Sequence, residues 1–210
     1  MSIKLAILNA TGKFNETYAM LEAESHRAIR LIEKQFSMAP VDITVSPISA
    51  DEAPLGIAGF VISPCRIEIM LDTCRDDLLT VIKQDLAAVI AHEVHHVVRA
   101  SSGVENQTLL QNIVAEGLAC HFETKFNGNT LPSLFNDIQH QDWVTLYEQM
   151  RPELHSVEYS YPLYFGGEDE SKFPNRAAYW VGFNLVLQYI NKHGGCAASL
   201  AAIPAEKIIE

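Results

Sequence analysis

Six consecutive residues, Ala91-His92-Glu93-Val94-His95-His96, carry the side chains of this chain that are best suited to chemistry. They contain the pattern His-Glu-x-x-His, with His92 and His96 four residues apart. On an α-helix, residues four apart lie about 40° from each other around the axis, so both imidazoles project from one face. Such a pair offers two nitrogen ligands to a divalent metal, most often zinc. Glu93 supplies a carboxylate where it can accept a proton from water.

The segment around this motif predicts a buried helix. Its neighbours are almost all apolar, namely Leu86, Ala87, Val89, Ile90, Val94, Val97 and Val98. A helix that is apolar on nearly every side belongs in a core. Histidines and a glutamate are costly there unless they are paired or bind a metal. The alternative is an accidental motif on an exposed helix, and the apolar setting argues against it.

Two histidines do not complete a zinc site, because zinc hydrolases typically use three protein ligands and leave one position for water. The best third ligand is Glu116, which follows His96 by 20 residues on the next predicted helix. A short turn would let that helix fold back beside the first. Glu116 interrupts an otherwise apolar run, where a solvated charge is unexpected. The alternative is an ordinary, partly exposed glutamate.

Neighbouring polar side chains fit supporting roles better than ligand roles. His95 is turned about 100° from His96 around the helix, which favours packing or support of a ligand. Cys120 lies one turn after Glu116 on the same face, where it is a candidate soft ligand or support of a ligand, although a small buried residue is the expected interpretation. Glu123 is expected to be solvated. His121 is expected to project from a different side of the helix than Glu116.

The order of predicted elements indicates an α+β fold: a small, mostly antiparallel sheet, then a largely helical part. A single domain over residues 1–210 is expected, with the helix and sheet in about 1–75 and the metal-binding part in about 76–210. The predicted strands are Ile3–Leu8, Asp42–Ile48, Gly56–Ile62 and Arg66–Leu71. The predicted helices are Asn15–Phe36, Asp76–Ala100, Gln107–Lys125, Asp142–Met150 and Ala177–Lys192, with one or two short helices in Ala197–Ile209 and a loop over Ser160–Asn175.

Composition narrows the class of protein. The formal net charge is −11, and the 15 lysines and arginines form no basic cluster, so nucleic acid and anionic membrane are poor partners. No apolar stretch reaches the length of a membrane span, and the first residues lack the pattern of a signal peptide. The four cysteines show no C-x-x-C spacing and are typical of reduced thiols. We therefore expect a cytoplasmic protein.

His92-Glu93-Val94-His95-His96 followed by Glu116-Gly117-Leu118-Ala119 resembles the predicted Zn-dependent proteases of the YjaZ-like family, within the thermolysin-like Glu-zincins. A Tyr-x-x-Gly arrangement, Tyr179 to Gly182, is similar to that family's C-terminal signature. The resemblance spans Val41 to Lys192. Thermolysin-type enzymes carry Asn before the ligand Glu and Asp four residues after it. Here Ala115 and Cys120 stand there, so the carboxylate that orients His92 must come from elsewhere or be replaced by a backbone carbonyl.

The resemblance implies a zincin-like fold and a division of labour. His92, His96 and Glu116 hold one Zn²⁺ per chain, and Glu93 is the general base of peptide hydrolysis. Tyr179 is the candidate that stabilises the developing oxyanion, although an aromatic core residue is an equal interpretation. The runners-up are His155, Tyr159 and Tyr161.

The implied substrate is a peptide or protein that binds in an extended form along a sheet edge. Gly56–Ile62 precedes the motif and fits such an edge, although an ordinary core strand explains it equally well. The competing hypotheses are a zinc-binding but proteolytically silent regulatory or binding protein on the same fold, and a structural domain with a fortuitous motif. The retained Glu93 favours the enzyme, because a purely structural metal site does not need that base.

Overall fold

The computed structural model of the chain describes residues 2–48 and 53–210. The chain falls into two compact units, which we call the sheet unit and the helical unit. The sheet unit comprises the residues up to Ser101 together with Glu123–Thr130, and the helical unit comprises Ser102–Phe122 and Leu131–Glu210. The class is α+β, as the sequence predicts. The expectation of a single domain over the whole chain stays a prediction.

The sheet unit contains a four-stranded sheet. Its strands are β1 (Ile3–Ile7), β2 (Val41–Ile48), β3 (Ile57–Ser63) and β4 (Arg66–Asp72), in the order β1-β2-β4-β3. β1 pairs with β2 and β2 with β4 in parallel, and only β3 and β4 are antiparallel. The prediction of a mostly antiparallel sheet is therefore wrong.

The connections explain the strand directions. β1 reaches β2 through the helix α1 (Tyr18–Ile32), and a crossover of this length returns the chain in the parallel direction. β3 and β4 are joined by a turn of only two residues, which forces the antiparallel pairing. Alternate residues of the central strands, among them Ile43, Ile67 and Ile69, are fully buried. Among the described strands β3 has β4 as its only neighbour, so it is an edge strand.

Two helices complete the sheet unit where the sequence predicts a single one. α2 (Leu78–Gln84) and α3 (Leu86–Ser101) are separated at Asp85. α3 packs against α1 and against strands β3 and β4. Because most of its side chains are buried, α3 is the core helix that the apolar sequence around the His-Glu-x-x-His motif predicts.

The helical unit is built from α4 (Leu109–Glu123, whose last residue belongs to the sheet unit), α5 (Trp143–Met150), α6 (Tyr161–Phe165), α7 (Ala177–His193) and α8 (Ala205–Ile208). Short 3-10 helices span Ser133–Phe135 and Arg151–Glu153. α6 lies inside the predicted loop. It begins where Ser160 Oγ accepts a hydrogen bond from the Leu163 amide at 3.3 Å, with a proline in its first turn.

Two glycines let α4 and α7 approach backbone to backbone. A Cβ atom on Gly117 would overlap the Gly182 carbonyl oxygen, and one on Gly182 would overlap the Ile113 carbonyl oxygen. Only hydrogen fits at either position, so this contact fixes how the two helices cross. Glu116 adjoins one glycine, and Tyr179 precedes the other by three residues.

No helix within residues 2–48 and 53–210 is both long and apolar enough to cross a membrane.

Candidate metal centre

Helix α3 brings two histidine side chains together in the sheet unit. The Nε2 atoms of His92 and His96 are 3.1 Å apart, and their ring centroids are 4.8 Å apart at an interplanar angle of 69°. His92 is 9% exposed, while His96 is more open to solvent. Two ring nitrogens therefore meet at one point near the surface of the unit, as the four-residue spacing predicts.

Glu123 sets the protonation pattern of His92. Its Oε2 lies 3.1 Å from His92 Nδ1, and only 7% of the residue is exposed. Because a carboxylate accepts hydrogen bonds, Nδ1 carries the proton and donates it, which leaves a lone pair on Nε2. The expectation that Glu123 is solvated is therefore wrong. Glu123 supplies the carboxylate that the sequence lacks at Cys120, and its position seven residues after Glu116, on the same side of the helix, was the available signal.

The donor set of α3 fits a zinc ion. Two imidazole ligands of tetrahedral zinc, each about 2.0–2.1 Å from the metal, have nitrogens separated by about 3.3 Å. The observed separation of the two Nε2 atoms is 3.1 Å. The His92 tautomer also presents an unprotonated nitrogen, which metal binding requires. The two histidines therefore fit zinc in their spacing, and the bond from His92 to Glu123 is compatible with metal binding through Nε2.

Glu93 packs against the edge strand. It is 8% exposed, and its side chain lies over Gly59 of β3. A Cβ atom at position 59 would lie 2.5 Å from Glu93 Cγ and 2.7 Å from Glu93 Oε1. The carboxylate thus lies beside the backbone of β3, in the same unit as the two histidines.

A second cluster of polar side chains lies in the helical unit, around Glu116. Glu116 is half-buried on α4, and the Tyr161 hydroxyl lies 3.5 Å from its Oε1. The hydroxyls of Tyr161 and Tyr179 are 3.2 Å apart. The predicted ligand and the predicted oxyanion donor therefore belong to one cluster, with Tyr161 bridging them.

The two tyrosines of this cluster differ in their surroundings. Burial, followed by the negative charge of Glu116, raises the pKa of Tyr179 well above its ordinary value. Like any tyrosine, Tyr179 is protonated near neutral pH and can donate a hydrogen bond, and the shift extends this state to higher pH. Tyr161 is 42% exposed and stacks on Phe165 at 4.2 Å, and the same Phe165 meets Tyr179 edge to face. From the sequence, Tyr161 is only a runner-up to Tyr179 as the residue that stabilises the oxyanion. In the structure its hydroxyl contacts Glu116 directly.

The other histidine, cysteine and tyrosine candidates of the sequence belong to neither the histidine pair nor the Glu116–Tyr161–Tyr179 hydrogen bonds. His95 is fully buried beside Phe36, and Cys120 is fully buried, both as expected. Burial lowers the pKa of His121, and its neutral ring hydrogen-bonds the Phe183 carbonyl at 2.8 Å. His155 is exposed. Burial raises the pKa of Tyr159, and the charge of Glu116 adds to this increase.

An α+β chain whose buried helix presents a histidine pair, a carboxylate-bound imidazole and an adjacent glutamate has the side chains of a metal-dependent hydrolase. The chain belongs to the family described as "Predicted Zn-dependent protease (DUF2268)", whose match covers residues 21–210. This match confirms the resemblance to the predicted Zn-dependent proteases, while the relation to the thermolysin-like Glu-zincins stays a prediction. No curated protein and no solved structure matches the chain.

Proposed function

We propose that this protein is a zinc-dependent metallopeptidase that hydrolyses peptide bonds. One observation carries the proposal: His92 and His96 converge through their Nε2 atoms at 3.1 Å, while Glu123 holds His92 in the tautomer that binds a metal. Membership of a family described as predicted Zn-dependent proteases supports zinc and a peptide or protein substrate.

His92, His96 and Glu116 would hold one zinc ion. Support for Glu116 comes from the chemistry of the donor set and from helix α4 itself. Glu116 and Glu123 are seven residues apart on that helix, so their side chains project from nearly the same side. Glu123 is the residue that bonds to His92. Two histidines and a glutamate are a known ligand set of catalytic zinc.

Zinc, when bound, lowers the pKa of a water molecule and polarises a substrate carbonyl. The remaining steps belong to side chains of this chain. A carboxylate oxygen of Glu93 accepts the proton from the attacking water and later passes it to the leaving amine. The Tyr179 hydroxyl, which is protonated near neutral pH, donates a hydrogen bond to the carbonyl oxygen as negative charge develops there.

The edge strand β3 fits the binding of an extended peptide. Glu93 lies over Gly59 of this strand, so a peptide that paired with β3 would pass beside the general base. Phe60 and Ile62, with 50% and 52% exposure, are available to contact substrate side chains. We expect backbone pairing to provide affinity and such contacts to provide selectivity. We also propose that the protein acts inside the cell, because its four cysteines lack the spacing of a disulfide framework or a zinc finger.

A digest of a peptide library by zinc-loaded wild type and by Glu93→Gln tests the proposal. Wild type is expected to cleave a subset of peptides. In Glu93→Gln we expect the cleavage rate to fall by about 10²–10⁴-fold, because the variant lacks the general base. Zinc content should be equal in both proteins, since Glu93 is not a ligand. Stoichiometric zinc without cleavage by wild type would favour the proteolytically silent alternative.

A further inference from the structure

We propose that Gly59 is a positioning residue that sets the side-chain conformation of Glu93. In this proposal the missing side chain at position 59 provides the space in which the Glu93 carboxylate lies. The proposal deepens the proposed function and rests on it, because a defined carboxylate position matters for catalysis only if Glu93 is the general base. Both residues belong to the sheet unit.

The contact is too close for any side chain at position 59. A Cβ atom there would lie 2.5 Å from Glu93 Cγ, 2.7 Å from Oε1 and 2.9 Å from Cδ. Carbon atoms that are not bonded to each other are most favourably about 3.5–4.0 Å apart. An alanine at position 59 therefore fits only if the Glu93 side chain moves.

The atom that would be displaced is Cγ, which is not at the flexible end of the side chain. Its position relative to the α3 backbone is set by χ1 alone, and a helix allows mainly two of the three staggered χ1 values. Relief of the clash thus requires a change of rotamer, which moves Cγ by roughly 2 Å and the carboxylate further. Glu93 is only 8% exposed, so there is little free space in which it could adjust otherwise.

The backbone at position 59 gives no other reason for a glycine. Gly59 does not have the left-handed φ that Gly56, with φ of 84°, adopts in the same segment. It lies within the regular pairing of β3, opposite Ile69 of β4, where any residue can adopt the strand conformation. A glycine within a strand weakens it, since it adds backbone entropy to the unfolded chain and no packing to the folded one. Space for Glu93 is the feature that accounts for it.

Gly59→Ala, compared with Ala6→Ser, tests the catalytic consequence. Ala6 is an exposed residue of β1, which lies at the edge of the described sheet opposite to β3. For Gly59→Ala we expect unchanged zinc content, KM within about twofold of wild type and kcat lower by about 10–100-fold, because small displacements of catalytic groups are costly. Ala6→Ser should retain the wild-type kcat. A wild-type kcat in Gly59→Ala would overturn the proposal.

A double-mutant cycle with Glu93→Ala gives a readout that does not depend on activity. Gly59→Ala is expected to lower the urea midpoint of unfolding in the wild-type background. In Glu93→Ala, which lacks Cγ, the same change should leave the midpoint unchanged or raise it. Equal shifts in both backgrounds would overturn the Gly59–Glu93 contact. Wild type that binds zinc but cleaves no peptide would overturn the proposed function instead, and the cycle separates the two results.

Discussion

The bond between His92 and Glu123 joins a side chain at the end of one helix to a proposed zinc ligand on another. The carboxylate accepts a hydrogen bond from Nδ1 at 3.1 Å, so the lone pair of the neutral imidazole is on Nε2, the atom that faces His96. Such partners orient a histidine ligand and raise its basicity. We therefore expect Glu123 to influence zinc binding through His92.

Removal of the Glu123 carboxylate should weaken zinc binding without abolishing it. In Glu123→Ala we expect the affinity for zinc to fall by about 10–100-fold, the usual effect of losing such a partner. Competition with a chromophoric chelator measures the affinity. Glu148→Ala, on the exposed side of α5, is the matched control and should bind zinc as wild type does. Unaltered affinity in Glu123→Ala would show that the bond does not act on the metal.

Two phenylalanine variants separate the roles of the tyrosines. Tyr179→Phe is expected to lower kcat by roughly 10²–10³-fold with zinc retained, because one donor to the developing oxyanion is lost. Tyr161→Phe should have a smaller effect, since its hydroxyl bridges Glu116 and Tyr179. Steady-state kinetics on a cleaved peptide checks both, with Tyr147→Phe as the control. A larger loss in Tyr161→Phe than in Tyr179→Phe would assign the donor role to Tyr161.

At the scale of secondary-structure elements, the crossing of α4 and α7 positions the polar cluster of the helical unit. Gly117 and Gly182 bring the two backbones into contact, and each lies within one turn of a residue of that cluster. The Tyr-x-x-Gly spacing therefore has a structural meaning. Gly182 lets α7 approach α4 closely. Tyr179, one turn earlier on α7, therefore lies in the same cluster as Glu116.

Gly117→Ala tests this crossing by the sign of its effect on stability. In an unconstrained helix, replacing glycine with alanine stabilises by about 1 kcal/mol. Here we expect the free energy of unfolding to fall by about 1–3 kcal/mol, because the added methyl group would overlap the Gly182 carbonyl. Urea denaturation measures the change, and Gly182→Ala should behave alike. An increase in stability would mean that the backbones of α4 and α7 are not in close contact at Gly117.

The sequence predicts elements well where burial follows from a local pattern. Apolar periodicity locates α3 and α7, and the alternation around Ile43 and Ile67 locates two central strands. Alternation reports which face is buried but not the direction of pairing, so it does not predict the mostly parallel sheet. The tyrosines and proline of α6 have the composition of a loop and hide this helix, although Ser160 before Tyr161-Pro162 is a helix-start signal.

The geometry of the candidate metal-binding residues is predictable in part for the same reason. The spacing of His92 and His96 is local, so the convergence of their rings follows from helix geometry. The burial of Glu123 depends on a partner 31 residues away in the chain, and no local pattern reports such a partner. The need for a glycine at position 59 of β3 likewise depends on the Glu93 side chain of α3, which is distant in the sequence.

At the scale of the whole molecule, the proposed ligands come from both compact units. His92 and His96 belong to the sheet unit, and Glu116 belongs to the helical unit. The net charge of −11 favours the binding of cations in general, so specific zinc binding must be distinguished from loose association with surface carboxylates. The stoichiometry and its dependence on the histidines make that distinction.

The most direct measurement is the zinc content of untagged protein after exhaustive dialysis, determined by inductively coupled plasma mass spectrometry. We expect about one zinc per chain in wild type, as for a catalytic site with three protein ligands. In His92→Ala/His96→Ala we expect almost none. Absence of stoichiometric zinc from wild type, or zinc retained in the double variant, would show that His92 and His96 do not form a zinc site.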